Sequence, residues 1–230
     1  MTARQLRFDL PARPALGRGD FFVSDVNRAA VAMIEGWRGW PTRKLALIGP
    51  QGAGKTHLAH VWAEMSGAAI IPAHHLASAD DIPALARSPL VVEDADRIAG
   101  HAAAEEALFH LHNLVLGEGH ALLLTARAAP ARWPLGLPDL ASRVMATGLA
   151  RLTEPDDALL AAVLTKLFAD RQIAPSPDTV PYLTRRIDRS FAAAQRAVAA
   201  LDAAAMRLGR PVTRRLAAEV LAQGLDSSGA

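Results

Sequence analysis

Eight consecutive residues, Gly49-Pro50-Gln51-Gly52-Ala53-Gly54-Lys55-Thr56, satisfy the pattern G-x-x-x-x-G-K-[ST] in full. Each residue type in it has a task in phosphate chemistry. Glycines let the backbone curl so that successive N–H groups converge on phosphate oxygens. Lys55 can reach the outer phosphates, and the Thr56 hydroxyl can hold Mg²⁺. Downstream, Leu90-Val91-Val92-Glu93-Asp94 is an apolar run that ends in two acids. One carboxylate there can hold Mg²⁺ through water, the role read for Glu93, and a second, Asp94, can orient an attacking water. The plainer alternatives are a glycine-rich turn without a ligand and an ordinary surface pair of acids. Two arginines, Arg143 and Arg189, could reach a γ-phosphate in trans or in cis, although a lone arginine is more often a solvated surface residue. The eight histidines, His74 and His75 among them, show no metal-ligand spacing.

These groups need elements to hold them. Residues 44–48 (KLALI) form an apolar run ending at Gly49, which predicts a buried strand. A helix over 57–65 follows the glycine-rich loop and would aim its positive N-terminal end at the phosphates. Further strands are expected at 68–71, 90–92 and 121–125. Helices are expected at 27–37, on Ala30, Val31, Ile34 and Trp37, and at 102–116, on Leu108, Leu111 and Val115. Strands alternating with helices predict an α/β fold whose parallel sheet is covered on both faces. Residues 137–142 read as a loop leading to Arg143. From residue 154 onward only helical segments are read, at 156–170, 178–186, 190–208 and 213–222. Thr153 is read as the first cap and Pro155 as lying in the first turn. The chain divides into an extended tail (1–19), a nucleotide-binding core (20–152) and a small all-helical lid (153–225).

Composition excludes several classes. The 230 residues are 51% hydrophobic and 21% charged, as in an ordinary globular protein. There is no apolar run of about 18 residues, and the first residues lack the apolar centre of a secretory signal, so no membrane contact is expected. The absence of cysteine removes disulfides, thiolate zinc sites and thiol nucleophiles, and fits a cytoplasmic location. A net charge of +2 and a single tyrosine do not point to a base-stacking nucleic-acid surface, so any DNA contact is expected to be weak or indirect.

Several stretches carry a family resemblance. Phe21-Phe22-Val23 with Asn27-Arg28-Ala29, residues 45–60 (LALIGPQGAGKTHLAH), 105–113 (EEALFHLHN), 122–130 (LLLTARAAP) and Ser142-Arg143 resemble the AAA+ domain of the bacterial DnaA initiator family. The resemblance runs through nearly the whole chain in the family's order. It implies a three-layer αβα AAA+ core followed by a helical lid, with ATP or ADP and Mg²⁺ as cofactors. It puts Phe22, Val23 and Asn27 near the adenine, and His57 next to the loop that ends at Thr56. Arg143 resembles the family's arginine finger, which acts on nucleotide held by a neighbouring subunit. Arg189, in Asp188-Arg189-Ser190-Phe191, resembles the lid arginine that senses the γ-phosphate in cis.

The chain also departs from the family. With Ala230 as its last residue it is expected to lack the family's helix-turn-helix domain; it also reads Glu93-Asp94 where the family has two aspartates, and has Arg127 where an acid usually follows the fourth strand. Weak or absent hydrolysis of its own is therefore expected. Near the start, Gln5-Leu6-Arg7-Phe8-Asp9-Leu10 resembles the peptide by which proteins bind the replicative sliding clamp. An extended peptide of this kind can seat Leu6, Phe8 and Leu10 in an apolar groove while Gln5 bonds at its edge. The alternative is that these residues pack on the chain's own core. Together the features imply a regulator with DnaA and the clamp as partners, with a homo-oligomer as a further option. The other readings are a DNA-directed ATPase such as a helicase loader and, more remotely, a small-molecule kinase.

Overall fold

The computed structural model describes residues 22–79 and 81–223. Gln5, Leu6, Phe8 and Leu10 lie outside the described residues. Five parallel strands, β1 (Lys44–Ile48), β2 (Ala69–Pro72), β3 (Leu90–Glu93), β4 (Leu122–Ala126) and β5 (Gly148–Arg151), form one sheet in the order β2-β3-β4-β1-β5. Side chains on a strand alternate between faces. Leu45 and Leu47 accordingly join Val91, Leu123 and Ala150 beneath α1 (Arg28–Glu35) and α2 (Lys55–Ser66). Ala46 and Ile48 join Val92, Leu124 and the helices α4 (Ala102–Gly117) and α5 (Pro138–Met145) on the other face. Every residue of β1 is buried, as a central strand covered on both faces requires. A single-turn helix, α3 (Ile82–Leu85), packs against α4. On the α1–α2 side, Trp40 stacks on Trp62 at 5.2 Å between ring centroids, and Trp37 meets Trp62 edge-on at 6.0 Å.

The remaining helices, α6 (Asp157–Asp170), α7 (Thr179–Thr184), α8 (Phe191–Leu208) and α9 (Arg214–Ala222), enclose an apolar cluster of their own around Leu164, Phe168, Leu183, Val198, Leu201 and Leu216. Ser190 caps α8 by accepting the Ala193 N–H at 3.1 Å, and Thr213 caps α9 through the Leu216 N–H at 3.3 Å.

Four local expectations are corrected. The loop read at 137–142 is largely helix α5, started by Pro138 at its first position and buried through Leu140 and Val144. β5 is a strand where none was expected. The cap of α6 is Asp156, whose Oδ1 accepts the Leu159 N–H at 2.7 Å, and not Thr153. Helix α2 begins at Lys55, two residues before the expected start, so Lys55 and Thr56 belong to its first turn.

Candidate phosphate-binding site

The glycine-rich loop links the carboxyl end of β1 to α2. Gly52 and Gly54 have φ of +80° and +92°, in the left-handed region that glycine enters without steric cost. Gly52 is also hemmed in, because a Cβ there would run into the Ser190 side chain. A Cβ at Gly49 would meet the Leu152 carbonyl. The Gly49 N–H donates to Ala126 O at 3.2 Å, and Leu152 N–H donates to Ile48 O at 2.8 Å, so β4 and β5 fix the root of the loop.

Lys55 is buried and curls over the loop, donating to Gly49 O and Pro50 O at 2.8 Å each. Burial and the nearby Arg127 push its pKa down, while Asp94 and Asp96 oppose that shift; the net effect is a lowered value. Thr56 is exposed at the mouth of the loop, and His57 follows it in the first turn of α2. Three carboxylates gather at the end of β3. Asp94 sits at φ 52°, a left-handed conformation that aspartate tolerates better than most residues, and its N–H donates to Thr125 Oγ1 at 3.0 Å. Asp96, which sequence reading passed over, accepts the Arg127 N–H at 2.9 Å. Glu93 Oε1 and Asp96 Oδ1 are buried and have no hydrogen-bond partner among the described residues. Orphaned buried carboxylate oxygens are costly unless a cation or water satisfies them. With the Thr56 hydroxyl, this oxygen-only donor set suits a hydrated Mg²⁺.

Asn27 staples the entry to α1. Its Nδ2 donates to Phe22 O and its Oδ1 accepts the Ser24 N–H, both at 2.8 Å. The Thr153 hydroxyl donates to Val26 O at 3.4 Å, which ties this segment to the residue after Leu152 and so to the base of the loop. Phe22, half-buried, and Val23, exposed, thereby lie on the β5 side of the loop.

A cleft of about 480 Å³ separates the loop from α8 and is lined by Gln51, Gly52, Arg189, Ser190, Ala192 and Arg196. The Phe191 N–H crosses to Gly52 O at 3.0 Å. Arg189 forms an ion pair of 2.8 Å with Asp157.

Arg143 belongs to a different region. Its carbonyl accepts a 2.7 Å hydrogen bond from Lys44 Nζ at the first residue of β1, whereas the glycine-rich loop leaves the last, roughly 13 Å along the strand. Its guanidinium is exposed and lies 5.2 Å over the Phe109 ring. Lys44 is buried and also bonds His112 Nε2 at 3.2 Å. Burial, then the Lys44 and Arg143 charges, hold His112 at a pKa of about 4, against the opposing Asn113 bond. The ring is therefore neutral at pH 7. Nε2 accepts from Lys44, which leaves Nδ1–H to donate to Asn113 Oδ1 at 3.3 Å. The buried Lys44–His112 pair seats the end of α5 that carries Arg143.

Glu105 was read only as part of a sequence resemblance, and here it is a staple. It is 2% exposed, and its carboxylate accepts N–H groups from Gly100 (2.8 Å), Gly136 (3.2 Å) and Leu137 (2.8 Å), joining the start of α4 to the start of α5. Nothing in the spacing of its neighbours announces this, because all three donors are backbone groups from loops.

No family model matches the chain. It is 26% identical over 230 aligned residues to the chromosomal replication initiator protein DnaA of Thermomicrobium roseum, covering 89% of this chain and 49% of that protein. The chain thus spans about half the length of the curated relatives it matches over most of its length. Domain III of the Thermotoga maritima replication initiation protein DnaA superposes with a TM-score of 0.82 at 18% identity, covering 94% of this chain and all of that one. The AMPPCP-bound DnaA of Aquifex aeolicus superposes at 0.70 with 16% identity, over 85% of this chain and 67% of that one. The fold, a five-stranded parallel sheet followed by a group of helices, matches the AAA+ domain of DnaA.

Proposed function

We propose that this chain, a distant homologue of DnaA with the AAA+ fold of DnaA domain III, binds adenine nucleotide with Mg²⁺ and acts on DnaA itself as an Hda-like regulator. In this reading it promotes hydrolysis of DnaA-bound ATP and so limits re-initiation of chromosome replication, while tethered to the sliding clamp through Gln5, Leu6, Phe8 and Leu10. The observation that carries the reading is the separation of Arg143 from the chain's own phosphate loop by the length of β1. An exposed arginine so far from its own loop is suited to nucleotide held by another subunit. Positive charge set against a γ-phosphate in trans stabilises the transition state of its hydrolysis.

The chain's own nucleotide has a structural role. Backbone N–H groups of the loop and Lys55 hold its phosphates, with Arg189 on the lid side, and Phe22, Val23 and Asn27 flank the base. Thr56 and Glu93 hold the Mg²⁺, which neutralises phosphate charge, and Asp94 is the residue available to orient water. The DnaA of similar fold from Aquifex aeolicus is bound to AMPPCP, which supports an adenine nucleotide here. Arg127 at the end of β4, beside Lys55, adds positive charge where hydrolysis needs a group that positions water, so turnover by this chain is slow.

The test is DnaA's ATP hydrolysis measured with the purified chain, with and without clamp loaded on DNA. Acceleration that needs both proteins is expected, and no acceleration overturns the reading. DNA-stimulated turnover by the chain alone would instead assign a DNA-directed ATPase. Two variants probe the parts separately. Lys55→Ala is expected to weaken binding of a fluorescent ADP at least about tenfold, because it removes the one buried cation of the loop. A Gln5, Leu6 and Phe8 to Ala triple variant is expected to lose surface-plasmon binding to purified clamp while keeping its ADP affinity.

A further inference from the structure

Lys44 is a buried cation for which the phosphate site has no use. It is the first residue of β1, at the end remote from the glycine-rich loop. Among the described residues no carboxylate pairs with it. Its ammonium bonds the Arg143 carbonyl at 2.7 Å and the neutral His112 ring at 3.2 Å. A charge taken out of water without a counter-ion is costly, and an apolar side chain of the same length would fill this place at less cost. Stability alone therefore does not account for a lysine here. The backbone before it is strained as well. Thr42 and Arg43 have φ of +53° and +55°, left-handed torsions that such residues keep only where surrounding contacts hold them. Arg43 donates to Leu116 O at the end of α4 at 2.9 Å, and Lys44 reaches the end of α5. The last carbonyls of a helix lack partners within it, and cations suit the negative end of its dipole. Two adjacent cations thus tie down the ends of the two helices that cover this face of the sheet. The Thr147 hydroxyl adds a longer bond to Arg143 O, at 3.5 Å.

We propose that Lys44, braced by His112, is the positioning residue of Arg143 and sets the point and direction from which its guanidinium leaves α5. The inference rests on the reading of Arg143 as a charge supplied in trans, and adds the residue that presents it. The carbonyl bond fixes the root of the side chain. Burial first, and then the Arg143 charge, lower the Lys44 pKa. The same repulsion acts on the guanidinium and biases it outward. A reacting group misplaced by about 1 Å loses rate steeply, whereas docking of the two proteins draws on the whole surface between them.

The experiment is DnaA's ATP hydrolysis with clamp loaded on DNA, titrated with the full parent chain and with Lys44→Met, Lys44→Arg, His112→Phe and Arg143→Ala. ADP affinity is measured for each. Lys44→Met keeps the length of the side chain and removes its charge. It is expected to lower the maximal rate about tenfold, while the half-maximal concentration and the ADP affinity each move less than about twofold. Lys44→Arg returns a cation to the carbonyl and should recover at least about a third of the parental maximum. A parental maximum for Lys44→Met overturns the assignment. So does a loss of ADP affinity, or a rise in the half-maximal concentration, as large as the loss of rate, since a merely structural role would produce it. Should Lys44→Met fail to fold, His112→Phe decides. A maximum lowered about threefold supports the brace, and a parental one overturns it. Arg143→Ala at the parental rate, or a parent chain without effect on DnaA, overturns the trans reading and this inference with it. Loss in Arg143→Ala with none in Lys44→Met overturns this inference alone.

Discussion

An Arg143→Ala protein is expected to lose its stimulation of DnaA-bound ATP hydrolysis by on the order of 10³, the scale on which an arginine supplied in trans acts. Its own nucleotide affinity and its melting temperature should hardly change. The side chain is exposed and, among the described residues, lies 5.2 Å over the Phe109 ring, a cation–π contact worth about 0.5–1 kcal/mol at such a site. The backbone beneath it stays seated, since Lys44 grips the carbonyl and not the guanidinium. Arg143→Lys should recover little, because an ammonium cannot reproduce the planar fork. Stimulation of DnaA at the parental rate by Arg143→Ala would sink the trans mechanism while leaving the fold and the phosphate site untouched.

The second large effect is on stability. Glu105→Ala is expected to cost about 3 kcal/mol at pH 7, because three backbone donors lose the buried carboxylate that accepts them. Burial alone would raise this carboxyl's pKa. The N–H groups of Gly100, Gly136 and Leu137, with His101, outweigh burial and hold it below the ordinary carboxylate value. A depressed folded-state pKa stabilises the protein above the unfolded value, near 4.3, and that contribution fades as pH falls through the folded value. Denaturation of the parent and of Glu105→Gln should therefore differ most near neutrality and converge in acid below about pH 4. A gap between them that does not change with pH would mean that shape, and not charge, is what Glu105 contributes.

The readings that succeeded rest on local patterns. β1 is a continuous apolar run that ends on a glycine, and its limits coincide with the strand because burial on both faces leaves no polar residue to blur them. The glycine-rich loop is legible for a related reason, since its backbone torsions demand particular residue types. β5 escaped notice because an edge strand of four residues buries only one fully, Ala150, and shows no apolar run. Helix α5 was masked by Pro138, which reads as a break although it starts the helix, and by a face that buries only Leu140 and Val144. Thr153 and Asp156 are both plausible caps, and the side-chain bond to Leu159 decides between them. Glu105 and Asp96 were invisible for a deeper reason. Their partners come from segments distant in sequence or from backbone groups, which no spacing rule encodes.

The hydrogen bond from Phe191 to Gly52, with a glycine seated too tightly to accept a Cβ, makes loop curvature and lid angle a single mechanical coordinate. A ligand that reshapes the loop does work on the lid, and linkage requires the converse. A protein that grips the lid from outside must change ligand affinity by the same factor by which the ligand changes its grip. Helix α8 carries that displacement across 18 residues, about 27 Å at the helical rise. The occupancy of the loop can thus be read, and biased, from the far end of α8, where Met206 and Leu208 are exposed to solvent.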